Sequence, residues 1–361
     1  MSENSLPVAV IGLGAFGRRT LDALVGSGCA KLAGLADRDA RRAEEAGREF
    51  NVPHYTDNRQ LLLSAKPKAV FLATPPMHAP ELLEACLELG IHVWKEAPLA
   101  RSLSEAAAFV RRFHERKLLL AVGTQRRFSE TYRLARRRRE NIGEVYLART
   151  HYLFNWGADL RWRADKHSAG GGALLELGYH PIDLLLWMLG LPEQVYGVTG
   201  KQNSGADEKE PRPPHDTDDT ASAILRYDNN RTATVVASRV SGPVSEELAL
   251  HGRDGSITAD GETCVIRNSN GDVLDHLQED SSPRALFRRQ ATAFVESVLA
   301  GKPEGRYACS AAENLLTHAV IDAIYLSHRT CQPERPIDQL RMHGFDIDDC
   351  LKHRITADCP L

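Results

Sequence analysis

The chain has 361 residues, and at roughly 150 residues per domain this leaves room for two domains. Its composition, 42% hydrophobic and 26% charged, excludes collagen-like, coiled-coil and extensively disordered architectures. A net charge of -3 removes the argument for a nucleic-acid or anionic-membrane partner, so a small molecule is the expected substrate.

The first 125 residues alternate apolar runs, at 8–11, 32–36, 70–73, 92–94 and 118–122, with helical patterns at 15–25, 39–50, 80–89 and 102–116. Strands that are apolar throughout and separated by helices predict a parallel, doubly wound α/β sheet covered on both faces. After residue 125 the rhythm changes. A helix at 129–141, a strand at 144–154 and an apolar helix at 174–189 precede alternating strands near 194–200, 221–227, 232–239, 247–252, 256–260 and 263–267. Short turns between those strands predict an antiparallel sheet, hence an α+β second domain over 126–361. Helices at 284–299 and 310–328 would cover that sheet or return to the first domain, and the polar, proline-rich stretch 201–219 reads as a loop.

No stretch offers the roughly 20 clean apolar residues of a membrane span, since Glu176, His180 and Asp183 interrupt the most apolar one. Residues 1–7 lack the basic-then-apolar order of a secretion signal. Seven cysteines, odd in number and never in a CxxC spacing, predict free thiols in a reducing cytoplasm. No metal is expected: His215, Asp216, Asp218 and Asp219 sit in a loop without a second cluster. The run Arg136 to Arg139, flanked by Glu130 and Glu140, reads as a solvated helix face.

Gly12-Leu-Gly14-Ala15-Phe16-Gly17 follows a predicted strand and opens a predicted helix. Gly12 would make the tight turn, Gly14 would admit a pyrophosphate and Gly17 would let helix and strand pack closely, leaving the amides after Gly14 aimed at the phosphates. Asp37, twenty residues after Gly17, lies where a carboxylate reaches adenosine ribose hydroxyls. It favours NAD, whereas Arg38 beside it could hold the 2'-phosphate of NADP.

Further along come Thr74-Pro75-Pro-Met-His78, the segment His92-Val-Trp-Lys95-Glu96-Ala97-Pro98, Arg126-Arg127-Phe128, Trp162-Arg163 and Gly170-Gly-Gly-Ala-Leu-Leu-Glu176-Leu-Gly178-Tyr-His180. In that order the motifs resemble the glucose-fructose oxidoreductase/inositol dehydrogenase (Gfo/Idh/MocA) family. The resemblance implies a Rossmann domain, then an α+β domain whose open sheet often mediates homo-oligomerisation. It also implies reversible oxidation of a sugar or polyol carbinol, with Thr74, Pro75, His78 and Glu96 along the cofactor.

Alcohol oxidation needs a base with a near-neutral pKa, and His180 meets that need. Glu176, four positions earlier, would share a helix face with it and support it, with Asp183 as an alternative, although Pro181 requires a kink or two separate segments. Arg127, Tyr152, Trp162, Arg163, Lys166 and Asp183 are the expected substrate or nicotinamide contacts by the same resemblance. One departure stands out. The family pattern is Glu-Lys-Pro, and its lysine holds the reacting hydroxyl, but this chain has Glu96-Ala97-Pro98. Lys95, about 6.6 Å away on an extended segment at about 3.3 Å per residue, is the expected substitute for that cation, with Lys166, in the loop before the glycine run, the second candidate. The missing lysine also leaves open an NAD-dependent glycosidase working through transient oxidation and elimination, or a dinucleotide-binding sensor without catalysis.

Overall fold

The computed structural model describes residues 5–202, 214–279, 282–301 and 309–351. Strands β1 (Leu6–Ile11), β2 (Ala30–Ala36), β3 (His54–Tyr55), β4 (Ala69–Leu72), β5 (His92–Glu96) and β6 (Leu120–Gly123) form a parallel sheet in the order β3-β2-β1-β4-β5-β6. The order reverses between β1 and β4, and open α/β sheets bind ligands beyond the strand C-termini at such a switch point. Helices cover both faces, which is why β4 and most of β1 are buried along their length. Side chains fix where the helices start: Asp39, Asp57 and Ser102 each accept an amide of the first turn that has no partner within its helix.

The second sheet is built from β7 (Val145–Asn155), β8 (Gln194–Gly200), β9 (Thr220–Arg226), β10 (Thr232–Ser238), β11 (Val240–Gly252), β12 (Gly255–Ala259), β13 (Thr263–Asn268) and β14 (Val273–Gln278). Its order is β14-β13-β12-β11-β7-β10-β9-β8, antiparallel except where β10 meets β7. Burial alternates along β8 and β9, as a sheet with one covered face requires. Tyr146, Tyr196, Val198, Ile224 and Val236 are exposed. The two late helices divide the alternatives: Pro283–Leu299 packs on the helix Ala15–Val25 of the first domain, and Ala311–Thr330 lies against both β8 and the helix Leu103–Glu115.

Four features depart from the sequence reading. The short pair β3 and Asn58–Ala65, the exposed strand β14, and the terminal helices Pro336–Met342 and Ile347–Leu351 are too short or too exposed to show a clear apolar period. Strand β11 begins seven residues early, across an irregularity between Val240 and Ser245 that breaks its alternation. The apolar helix is two, Ala173–Glu176 and Tyr179–Leu189, joined through Gly178, where a Cβ would stand 2.5 Å from the Leu174 carbonyl oxygen. Pro181 therefore sits in the first turn of a new helix, where a missing N–H costs nothing. Finally, Arg136 and Arg139 do not face solvent but donate to the Trp187 and Met188 carbonyls at the end of that helix. Of the predicted loop, residues 203–213 lie outside the described residues.

Candidate active site

The turn after β1 is shaped by its glycines. Gly12 has φ +89°, and a Cβ there would lie 2.6 Å from the Ala73 carbonyl oxygen. A Cβ on Gly17 would fall 1.8 Å from the Gly12 carbonyl oxygen, so the helix is pressed onto the turn. Gly14 differs, since nothing lies within 4 Å of a Cβ built on it, and no side chain caps the eleven-residue helix it precedes. An open approach beside the amides of Ala15 and Phe16 suits a pyrophosphate. Asp37 is fixed beside this turn, one oxygen accepting from Leu13 N–H at 2.7 Å and the other from Asp39 N–H at 2.9 Å. Arg38 turns toward His78, with guanidinium and ring nitrogen 3.4 Å apart.

The neighbouring strand ends hold unsatisfied polar atoms. Thr74 Oγ1 and Glu96 Oε2 are buried without a hydrogen-bond partner, a state that costs about 1–3 kcal/mol per group unless a ligand or water supplies the bond. Burial pushes the Glu96 carboxyl up to about 8, against the opposing pull of Lys95 and Arg126. These residues, with the glycine turn and Asp37, fit a dinucleotide lying across the switch point.

His180 opens the second half of the site. Its ring stands edge-on to Tyr152 of β7 and to Tyr179, both at 6.4 Å between centroids. Its Nδ1 is buried with no partner. Burial, and secondarily the Arg126 guanidinium, hold the imidazole well below its ordinary range, which keeps it neutral but makes it a weaker base than the near-neutral one that the sequence leads one to expect. Arg126 lies 4.4 Å over the Tyr152 ring, and Glu246 of β11 grips it through both carboxylate oxygens. Tyr132 also donates to Glu246, at 2.7 Å. The charge of Arg126 acts on both Glu96 and His180.

The structure corrects several expected roles. Lys95 does not replace the absent lysine: it is 1% exposed, and its Nζ donates to the carbonyls of Glu96 at 2.9 Å and Pro98 at 2.5 Å. The extended segment does not continue through residue 97: β5 ends at Glu96, and Lys95 is buried in the core. Burial lowers its ammonium to about 8. Glu176 does not support His180, because the helix breaks between them. Its carboxylate pairs with Arg163 at 2.6 Å, and Arg163 is sandwiched between Trp156 at 3.9 Å and Trp162 at 4.2 Å. Burial nevertheless raises the Glu176 carboxyl.

Arg127 and Asp183 are not substrate contacts either. The Arg127 side chain, 1% exposed, donates to Asp183 at 2.7 and 2.8 Å and pairs with Glu313 at 2.8 Å. Lys166 is exposed at the start of Lys166–Ala169, its amide donating to Asp216. The acidic loop is structural: Asp218 accepts the amides of Gly172 and Leu174, both at 2.8 Å, and Asp219 pairs with His215 and Arg239.

Sequence reasoning gave no site role to Arg126, Tyr132, Trp156 or Glu246. Arg126 stood inside a recognised motif, but its partner Glu246 is 120 positions away, a distance no local pattern spans.

Comparison with known proteins places these features. Residues 6–124 match the model of the oxidoreductase family with an NAD-binding Rossmann fold, and residues 133–258 match the GFO/IDH/MocA C-terminal domain. Levoglucosan dehydrogenase of Pseudarthrobacter phenanthrenivorans is 29% identical over 62% of this chain, a match spanning 63% of that protein. The scyllo-inositol 2-dehydrogenase (NAD(+)) of Bacillus subtilis is 28% identical over 83% of this chain and 88% of its own length. Among solved structures, levoglucosan dehydrogenase in complex with NADH and levoglucosan superposes with a TM-score of 0.83, at 22% identity, covering 92% of this chain and 99% of the other. With both of its halves matched in order, the chain belongs to the Gfo/Idh/MocA oxidoreductase family.

Proposed function

We propose that this protein is an NAD(P)-dependent dehydrogenase that moves a hydride between the nicotinamide and a carbinol carbon of a sugar or polyol. The observation that carries the reading is the set of buried, unpartnered polar atoms, His180 Nδ1 against Tyr152 and Thr74 Oγ1 and Glu96 Oε2 at the strand ends beside the glycine turn. The sugar and polyol dehydrogenases among its relatives support the substrate class. When bound, NAD(P)⁺ supplies the two-electron acceptor. Gly12, Gly14, Ala15, Phe16 and Gly17 would hold its pyrophosphate, and Asp37 the ribose hydroxyls. Thr74, Pro75, His78 and Glu96 would line the path toward the nicotinamide.

His180 takes the hydroxyl proton as the carbon is oxidised, and returns it in the reverse direction. Tyr152 and the Trp162–Arg163–Glu176 stack present aromatic faces and hydrogen-bonding groups suited to a sugar ring. NAD is the preferred form: Asp37 would repel a 2'-phosphate, and Arg38 is turned toward His78. The division into domains falls near residue 125. The free thiols among the described residues suit a reducing cytoplasm, and the exposed apolar residues of the second sheet suit self-association.

The test is a panel of sugars and polyols offered with NAD⁺ or NADP⁺, followed by nicotinamide absorbance, for the wild type and His180→Ala. The variant should lose turnover by at least about 100-fold while binding NADH as before; equal loss of both refutes the assignment. Glycoside cleavage without net NADH formation would refute the dehydrogenase reading.

A further inference from the structure

At the C-terminal ends of the first sheet, Asp37 follows β2, the glycine turn follows β1, Thr74 lies beyond β4 and Glu96 ends β5. A dinucleotide with its ribose on Asp37 and its pyrophosphate at the glycine turn reaches β5 with its nicotinamide half. The segment it meets there is Glu96-Ala97-Pro98. Strand pairing sets Lys95 between Leu72 and Val122, and Glu96 beside Gly123. Gly123 leaves room for the Glu96 carboxylate, whose unpartnered Oε2 would stand 3.1 Å from a Cβ built on that glycine. Behind the segment, the buried Lys95 ammonium donates to the Glu96 carbonyl at 2.9 Å and the Pro98 carbonyl at 2.5 Å. These two carbonyls bracket Ala97. Holding an ammonium in the core on backbone carbonyls costs stability that an apolar side chain of similar length would not. Burial pulls it down to about 8, against the opposing effect of Glu96 and Glu105.

We propose that Lys95 is a positioning residue: its ammonium ties down the segment Glu96–Pro98 from the core side and so fixes the Glu96 carboxylate against the nicotinamide half of the cofactor. The inference rests on the reading that a dinucleotide lies across these strand ends. Ala97 offers the site no cation. The cation of this segment stands behind it and acts through the backbone, by way of the two carbonyls it holds. Its effect is local to the nicotinamide end. Asp37 and the glycine turn, two and more strands away, are kept in place by contacts of their own.

The experiment titrates the wild type, Lys95→Met and Lys95→Gln with NADH and with ADP-ribose, which carries the adenosine and pyrophosphate but lacks the nicotinamide. Lys95→Met should weaken NADH binding about tenfold, as for the loss of one charged hydrogen bond, and leave ADP-ribose binding within about a factor of two. Lys95→Gln keeps a neutral donor and should fall between the wild type and Lys95→Met. In the protein without ligand, amide hydrogen exchange at Ala97 and Leu99 should quicken about tenfold in Lys95→Met while β1 and β4 exchange as before. Equal weakening of both ligands, unchanged NADH binding, or unchanged exchange at those two amides overturns the proposal. If Lys95→Met does not fold, Lys95→Gln is judged by the same selective loss. A wild type that binds neither ligand removes the cofactor reading beneath it.

Discussion

Replacing Arg127 by Met tests whether the sequence motif around it serves substrate or fold. Arg127 follows Arg126 in the chain, and its side chain is 1% exposed and makes three contacts of 2.7 to 2.8 Å with Asp183 and Glu313. Asp183 lies on the helix of His180, three residues on, and Glu313 lies on Ala311–Thr330. The ion triad therefore joins the end of the first sheet to the helix of the histidine and to the long C-terminal helix. Removing the cation strands two buried carboxylates, and breaking a buried pair costs about 3–5 kcal/mol. At neutral pH the variant should lose about 4 kcal/mol in guanidinium unfolding. Because a buried carboxylate without its cation is neutralised by a proton, the deficit should shrink as pH falls from 8 to 5. Replacing all three residues together, Arg127→Met, Asp183→Leu and Glu313→Leu, should recover most of the loss, since no uncompensated charge remains. A single variant that loses less than about 1 kcal/mol, or whose deficit is flat with pH, refutes the structural assignment. A raised KM at unchanged stability would return Arg127 to the substrate.

The glycine turn should separate fold from binding: Gly17→Ala meets the Gly12 carbonyl oxygen at 1.8 Å and should unfold or lose about 3 kcal/mol. Gly14→Ala meets nothing, so it should leave stability unchanged and weaken NADH binding in a fluorescence titration. Equal stability of the two would contradict the described packing. His318, buried with neither ring nitrogen bonded, is held down to about 3 by burial, with Lys95 adding to the effect. Its folded pKa lies below its unfolded one, so its contribution is fully present above pH 6.5 and falls as pH drops toward 3. Between pH 7 and 5 that contribution amounts to about 2 kcal/mol. His318→Leu should remove it from the measured loss of stability; an unchanged pH slope would count against a neutral buried ring.

How much of this was written in the sequence depends on how far apart the interacting residues are. Strands β1, β4 and β6 are buried on both faces, so an unbroken apolar run announces each of them locally. The glycine turn is legible because its three glycines lie within six positions of one another, although the crowding at Gly12 comes from Ala73 on another strand end. The catalytic half is different. Pro181 marked a break but not its place, which Gly178 sets by its approach to Leu174. Glu176 and His180 share a helical spacing, yet the break separates them and two tryptophans hold Arg163 where it takes the carboxylate. Lys95 fails for a similar reason: alternation predicts direction only while a strand continues, and β5 stops one residue after it. Arg126 shows the limit from the other side. Nothing near it in sequence distinguishes it from Arg127, and the two part only because β11 brings Glu246 to one while two helices bring Asp183 and Glu313 to the other. Adjacent arginines thus acquire different places, one closed between two helices and one clamped on β11 over Tyr152, from partners that only the assembled chain supplies.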